Sequence, residues 1–275
     1  MLTYPNIDPV IFHLGPLQVR WYGLMYVLGF IATYMLVRYQ IRKYQIKDLA
    51  AHFENFNIAL IIGLIAGGRL GYVLFYNLPY YLQHPLEIIA TWQGGMSFHG
   101  GLLGFIIGGY IYCRRHRLDF WQNADIYVVT VPIGLGLGRI GNFLNGELFG
   151  RESDVPWAMV FPYGGPVARH PSQLYECFLE GFLLFAILWI LKDVARKRRW
   201  PSGTMLACFL FLYGLFRVVV EFFREPDQHL GFIIASFTLG QLLSIAMIGA
   251  AVLLFTLRKN SMNCSKNSVQ DKKVS

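Results

Sequence analysis

Seven apolar runs set the pattern of the chain, at residues 22–37, 58–75, 98–112, 126–142, 178–191, 205–222 and 237–257. A helix needs about 20 mostly apolar residues to cross a bilayer, and each run, with its flanks, approaches that length. The third, fourth and fifth are short or interrupted by glycine. Apolar and polar positions do not alternate within the runs, which argues against the segments of about ten alternating residues that build a membrane barrel. The pattern predicts an all-α polytopic membrane protein of about seven transmembrane helices.

Composition agrees with this solvent. Hydrophobic residues make up 55% of the 275 and charged ones 15%, with a mean hydropathy of +0.43, well outside the range of soluble domains. Residues 1–257 read as one transmembrane domain with an outer N-terminal arm and an outer loop at 152–171. Residues 258–275 read as a basic cytoplasmic tail without fixed structure. The first 19 residues lack a basic opening segment and a small-residue cleavage site, so they do not read as a removable signal peptide. Pro5, Pro9 and Pro16 with Ile11, Phe12 and Leu14 suit an extended or short amphipathic arm at the interface.

The net charge of +8 raises the question of a nucleic-acid partner, and the distribution of charge answers it. Seventeen of the 24 basic residues fall after the first, third, fifth and seventh runs, in alternate connections. That is the positive-inside pattern of a membrane protein, and it predicts an outer N-terminus and a cytoplasmic C-terminus. No nucleic-acid patch remains. The others are Arg20, Arg69, Arg139, Arg151, Arg169, Arg217 and Arg224, all inside runs or on the outer side, and none is a lysine. Guanidinium there suits planar, two-pronged recognition of phosphate or carboxylate. The competing reading is that these arginines pair with Glu147, Glu152, Glu221 or Glu225 and only hold helices together.

Candidate chemistry concentrates at 138–151, where Arg139, Asn142, Asn145, Glu147 and Arg151 interrupt an apolar run among glycines. Charge at that depth is costly and marks a functional candidate. Gly136, Gly138 and Gly141 spell G-x-G-x-x-G, but no strand–turn–helix context supports a dinucleotide site. These glycines are expected to thin the helix or break it near its outer end. Gly63, Gly67 and Gly71, like Gly100, Gly104 and Gly108, recur every fourth residue and predict close helix packing, with Arg69 turned into the bundle. His99 opens the third run from a glycine-rich segment and could accept a proton near neutral pH. Arg217 and Glu221, four apart, share a helix face. The four cysteines have no metal or disulfide spacing, and no metal, P-loop or serine-nucleophile motif occurs.

The chain resembles the phosphatidylglycerol:prolipoprotein diacylglyceryl transferases of bacteria, on the stretch 138–151 together with Arg20-Trp21-Tyr22-Gly23, Phe98-His99-Gly100-Gly101-Leu102, His170-Pro171-Ser172-Gln173-Leu174-Tyr175-Glu176, and Phe216-Arg217 with Glu221-Phe222-Phe223-Arg224. The motifs run in order from about residue 20 to residue 224. The resemblance implies transfer of the diacylglyceryl group of phosphatidylglycerol to the lipobox cysteine of a prolipoprotein signal peptide. It also implies a multi-pass protein of the bacterial inner membrane with its site toward the outer side, and neither metal nor cofactor. On this reading Arg139 holds the phospholipid headgroup and Arg217 the leaving phosphate, the two roles being exchangeable. His99 is the base for the thiol, with Glu147 and Glu221 as competitors, while Tyr22, Asn142, Asn145, Gly150 and Arg224 shape the substrate pocket. Two other readings stay open: a phospholipid or anion translocator with an arginine-lined interior, and a purely structural bundle.

Overall fold

A computed structural model of the chain describes residues 2–5, 7–15, 17–225, 232–234 and 237–274. In chain order it contains β1 (Leu2–Thr3), β2 (Val10–Leu14), β3 (Leu17–Arg20), α1 (Trp21–Tyr44), α2 (Lys47–Phe75), α3 (Leu78–Gln83), α4 (Phe98–Arg115), α5 (Phe120–Val128) and α6 (Val131–Leu144). Then follow β4 (Met159–Val160), α7 (Ser172–Glu176), a π-helical turn at Cys177–Leu183, α8 (Leu184–Lys197), α9 (Thr204–Glu221), β5 (Phe232–Ile234), β6 (Phe237–Thr238) and α10 (Leu239–Val274).

Five helical stretches are long and apolar enough to cross a membrane: Trp21–Tyr44, Lys47–Phe75, Ser172–Lys197, Thr204–Glu221 and Gly240–Asn260. A sixth arises if α5 and α6, bent by 42° at their junction, count as one span. The run expected to be the third span forms a helix, α4, 18 residues long, which is not among these candidates. Its glycines, His99 and the closing Arg114 and Arg115 leave it outside the set that passes on hydropathy. Large apolar side chains such as Met35, Ile62 and Leu253 face outward, as expected where the solvent is lipid.

Two details differ from the sequence reading. The expected break among the glycines of the fourth run lies instead before Pro132, at the junction of α5 and α6, and 131–144 stay helical. Proline lacks the N–H that would close the preceding turn and clashes with it. The tail from 258 onward, expected to lack structure, continues α10 to Val274, and nothing there interrupts it, since it holds no Gly or Pro.

The chain divides into two compact units, Met1–Val37 with Ala124–Ser275, and Arg38–Asn123, where the sequence suggested one domain. In the second unit α2 and α4 cross on their glycine stripes. A Cβ on Gly104 would come 2.0 Å from the Gly63 carbonyl oxygen, and one on Gly67 would come 2.4 Å from that of Gly100. No side chain fits there. Arg69, only 4% exposed, points inward as expected. Its guanidinium donates to the carbonyls of Glu87, Ile88, Gly94 and Gly95 and lies over the Tyr81 ring.

The first unit is the helical body that carries the polar stretch. Its apolar core joins Val128 and Val129 to Leu184, Leu188, Ala195 and Met205. Asp125 of α5 accepts from the N–H groups of Gly203 and Leu206, satisfying donors that the start of α9 would otherwise leave open. The N-terminal arm is a hairpin of β2 and β3, preceded by β1, which pairs in parallel with β4 of the 152–171 loop. Pro16, one of the prolines expected to extend the arm, lies outside the described residues.

Candidate active site

Site formation begins with the packing of α6 on the π-helical turn. Gly136 meets Gly181 so closely that a Cβ on Gly181 would stand 2.6 Å from the Gly136 Cα. Here the glycines thin the helix, one of the two expected roles, and let it pack closely. That contact brings Arg139, on α6, to Glu176 and Glu180, which α7 and the π turn present four residues apart and fully buried. Arg217, from α9, arrives from a third direction.

Three guanidiniums then converge on one carboxylate. Arg139 Nε lies 2.5 Å from Glu176 Oε2, Arg217 Nη1 lies 3.1 Å from the same oxygen, and Arg224 Nη1 lies 3.7 Å from Oε1. Glu180 adds weaker contacts, 3.6 Å to Arg217 and 4.0 Å to Arg139. The expected pair of Arg217 and Glu221 forms at 3.3 Å. Glu221 also accepts from the Thr238 hydroxyl. Thr238 and Gln241 bond reciprocally, each side chain to the other's N–H, the capping box that starts α10.

This cluster holds three cations and three anions among the described residues, so it is close to neutral yet oriented. Both carboxylate oxygens of Glu180, Oε1 of Glu176 and Oε2 of Glu221 are buried without a hydrogen-bond partner. Buried polar atoms are normally satisfied. Each of these oxygens meets a guanidinium only at ion-pair distance, and guanidiniums fixed in place around loosely held carboxylates suit an anionic ligand that competes for them.

Next to it, Glu147 is exposed and held by amides. Its Oε1 accepts from Asn142 Nδ2 at 2.9 Å and Asn145 Nδ2 at 3.2 Å, and its carbonyl accepts from Gln173. Among the described residues no arginine pairs with it, unlike Glu152 and Glu225, which both pair with Arg169. Tyr22 packs on Gly141, where an added Cβ would be 3.0 Å from its ring. Its hydroxyl bonds that of Tyr26, and it lies within the fields of Glu147 and Arg139.

Gly150 knots the outer loops together. It bridges Arg224 in antiparallel fashion, and its N–H donates to the His170 carbonyl at 2.8 Å. A Cβ there would fall 2.3 Å from the Phe223 carbonyl oxygen. Arg151 ties the same knot by donating Nε to the Arg224 carbonyl.

The expected residues thus sort into groups. Arg139, Arg217, Glu221 and Arg224 meet in the ion cluster, and Tyr22, Asn142, Asn145 and Glu147 form the polar strip beside it, while Gly150 acts as backbone. His99 belongs to the Arg38–Asn123 unit, where its ring meets that of Phe98 edge-on. Glu176, named only as the end of a motif, and Glu180 are cluster residues to which the sequence reading gave no role. The available signal was their four-residue spacing at the head of an apolar run.

Comparison with known proteins gives a consistent result. Residues 9–257 match the family model for prolipoprotein diacylglyceryl transferase. The chain is 59% identical over 258 residues to the phosphatidylglycerol–prolipoprotein diacylglyceryl transferase of Desulfotalea psychrophila, covering 93% of this chain and 95% of that protein. It is 54% identical to the protein of the same name from Geobacter sulfurreducens over 90% of this chain and 93% of that one. For the Pseudomonas aeruginosa protein of that name the identity is 47%, over 95% and 98%.

Proposed function

The chain belongs to the prolipoprotein diacylglyceryl transferase family, and from that premise we propose that it joins the diacylglyceryl group of phosphatidylglycerol to the lipobox cysteine of prolipoprotein signal peptides. The protein is a transferase of the bacterial inner membrane. It spans that membrane seven times with the N-terminus outside, counting α4 and the bent α5–α6 pair as spans, and its site faces outward. The observation that carries the reading is the convergence of Arg139, Arg217 and Arg224 on Glu176.

The chemistry asks for such a cluster. The cysteine thiol gives up its proton, its sulfur bonds the glyceryl carbon next to the phosphate, and the carbon–oxygen bond breaks with its electron pair going to the phosphate oxygen. Glycerol phosphate leaves, and the charge on its phosphate grows from one toward two. Fixed guanidiniums in a water-poor site favour that growing charge without having to reorient. Arg139 holds the headgroup phosphate and Arg217 meets the charge on the leaving oxygen. Glu176 keeps both planes in place until lipid arrives.

A free thiol has a pKa of about 8.5, so a base is needed at neutral pH. His99 fills that role, with Glu147 as the alternative. Glu221 is the poorer choice, being engaged by Arg217 and Thr238.

The test combines purified protein, phosphatidylglycerol and a lipobox peptide carrying Cys or Ser. The Cys peptide should gain the mass of one diacylglyceryl unit and the Ser peptide none; no gain from folded protein overturns the transferase reading. Arg139→Ala should lower kcat/KM by at least about 100-fold, and near-parental turnover would remove Arg139 from the headgroup role. Replacing His99 by Gln should abolish the limb of the pH–rate profile near neutrality, whereas an unchanged limb assigns the proton to another group.

A further inference from the structure

The first unit contains a cavity of about 340 Å³ at the C-terminal end of α6, lined by Tyr4, Asp8, Asn145 and Tyr163 and walled by Pro9 and Pro162. From it we infer a subsite for the hydroxyl groups of a glycerol headgroup. The inference rests on the reading that phosphatidylglycerol is the substrate.

Three observations carry it. The first is placement. Arg139 and Asn142, three apart, are neighbours on α6, and Asn142 joins Asn145, the residue that closes the helix, through the Glu147 carboxylate that accepts from both. One end of that strip enters the ion cluster through the contact of Arg139 with Glu176, and the other lines the cavity. Six residues of helix rise about 9 Å, a distance bridged by an extended arginine and a three-carbon headgroup together. A lipid phosphate on Arg139 would direct its polar end along the strip.

Polarity of the lining is the second observation. Asp8 gives one carboxylate oxygen to the Val10 N–H, but a carboxylate has about four acceptor sites. Asn145 spends its amide N–H on Glu147, and its Oδ1 is buried without a hydrogen-bond partner. The Tyr4 hydroxyl donates to the Phe143 and Leu144 carbonyls at the close of α6, which leaves its oxygen able to accept. The cavity is therefore rich in acceptors and wants a ligand that brings donors.

The third is sign. A carboxylate and the negative end of a helix dipole both disfavour an anion, so the phosphate belongs with the arginines and not here. A neutral group with two adjacent hydroxyls fits what remains.

Calorimetry on the purified protein can compare glycerol phosphate with propyl phosphate, which shares the phosphate and lacks the hydroxyls. Glycerol phosphate should bind about tenfold more tightly, the worth of one or two retained hydrogen bonds. Asp8→Ala should erase that preference while leaving propyl phosphate unchanged. Tyr163→Phe, at a side chain exposed enough to spare the fold, should reduce it in part. Equal affinity for the two ligands in the parent, or a loss in Asp8→Ala shared by both, overturns the subsite. Transfer from phosphatidylglycerol and from phosphatidylpropanol separates this inference from its premise. Should the parent transfer from neither lipid yet keep the Asp8-dependent preference, the transferase reading fails and the subsite stands. Should it transfer from both equally well, the subsite fails and the transferase reading stands.

Discussion

Glu176 shows how much one side chain does in lipid. It is fully buried and shared by three guanidiniums, so removing its charge leaves Arg139, Arg217 and Arg224 with too few anions. Breaking a buried ion pair from one side costs about 3–5 kcal/mol. Glu176→Gln should therefore lower the thermal midpoint in detergent clearly, and an unchanged midpoint would mean that the arginines are satisfied by other groups. His170 supports a different prediction. The Trp157 indole can only donate, so the Tyr175 oxygen accepts from it and the Tyr175 proton is left to reach His170 Nδ1. That arrangement suits a neutral imidazole, and burial pushes the His170 pKa below its ordinary 6.5. Between the folded value and 6.5 the unfolded chain binds a proton that the folded chain refuses. The stabilisation is thus complete above about pH 6.5 and is lost as pH falls through the folded value. The midpoint of the parent should drop more between about pH 7 and pH 5 than that of His170→Gln, and parallel curves would contradict the neutral assignment. Sequence alone revealed the arginines, because a cation in an apolar run is conspicuous. It did not reveal Glu176 and Glu180 as their partners, since cost can be read from one residue but pairing depends on which helices meet.

At the scale of elements, glycine has two roles that spacing alone does not separate. The stripes on α2 and α4 were legible, because four-residue intervals bring small residues to one face. What remained hidden was that the stripes face each other. The fourth run misled in the opposite sense: its glycines drew attention as a break, but Pro132 makes the bend and Gly136 packs on Gly181. Substitution separates the roles. Gly104→Ala would place a Cβ 2.0 Å from backbone oxygen, so the helices must part, and overpacking of that kind costs about 1–3 kcal/mol. Gly138→Ala meets nothing within 4 Å and gains helix propensity of about 1 kcal/mol. Thermal midpoints should fall for the first and hold or rise for the second. Loss of transfer in a stable Gly138→Ala would then mean that substrate needs the space beside Arg139, whereas loss of stability there would contradict the open space beside Gly138.

For the whole molecule, the orientation in the bilayer rests on charge. Apolar runs gave the class of protein and most of the helices, yet a run carries no direction. Lysine and arginine in alternate connections supply the proposed one, because basic loops resist translocation, and it requires an odd number of spans. Counting spans from hydropathy is less secure at α4, where glycine, histidine and two arginines dilute the run, and the glycine stripes there replace hydropathy as the reason the helix stays among its neighbours. Whether α4 crosses decides the side of everything after it, so orientation can be tested on both flanks of the site. In a background with the native cysteines replaced, a cysteine at Asp154, in the loop after Arg151, should react with a membrane-impermeant maleimide on intact cells. One at Arg198, in the basic connection after α8, should react only after the cells are opened. The reverse pattern would put the arginine cluster on the cytoplasmic side, away from exported signal peptides. Labelling of both positions in intact cells would show that the helix between them, Ser172–Lys197, does not cross.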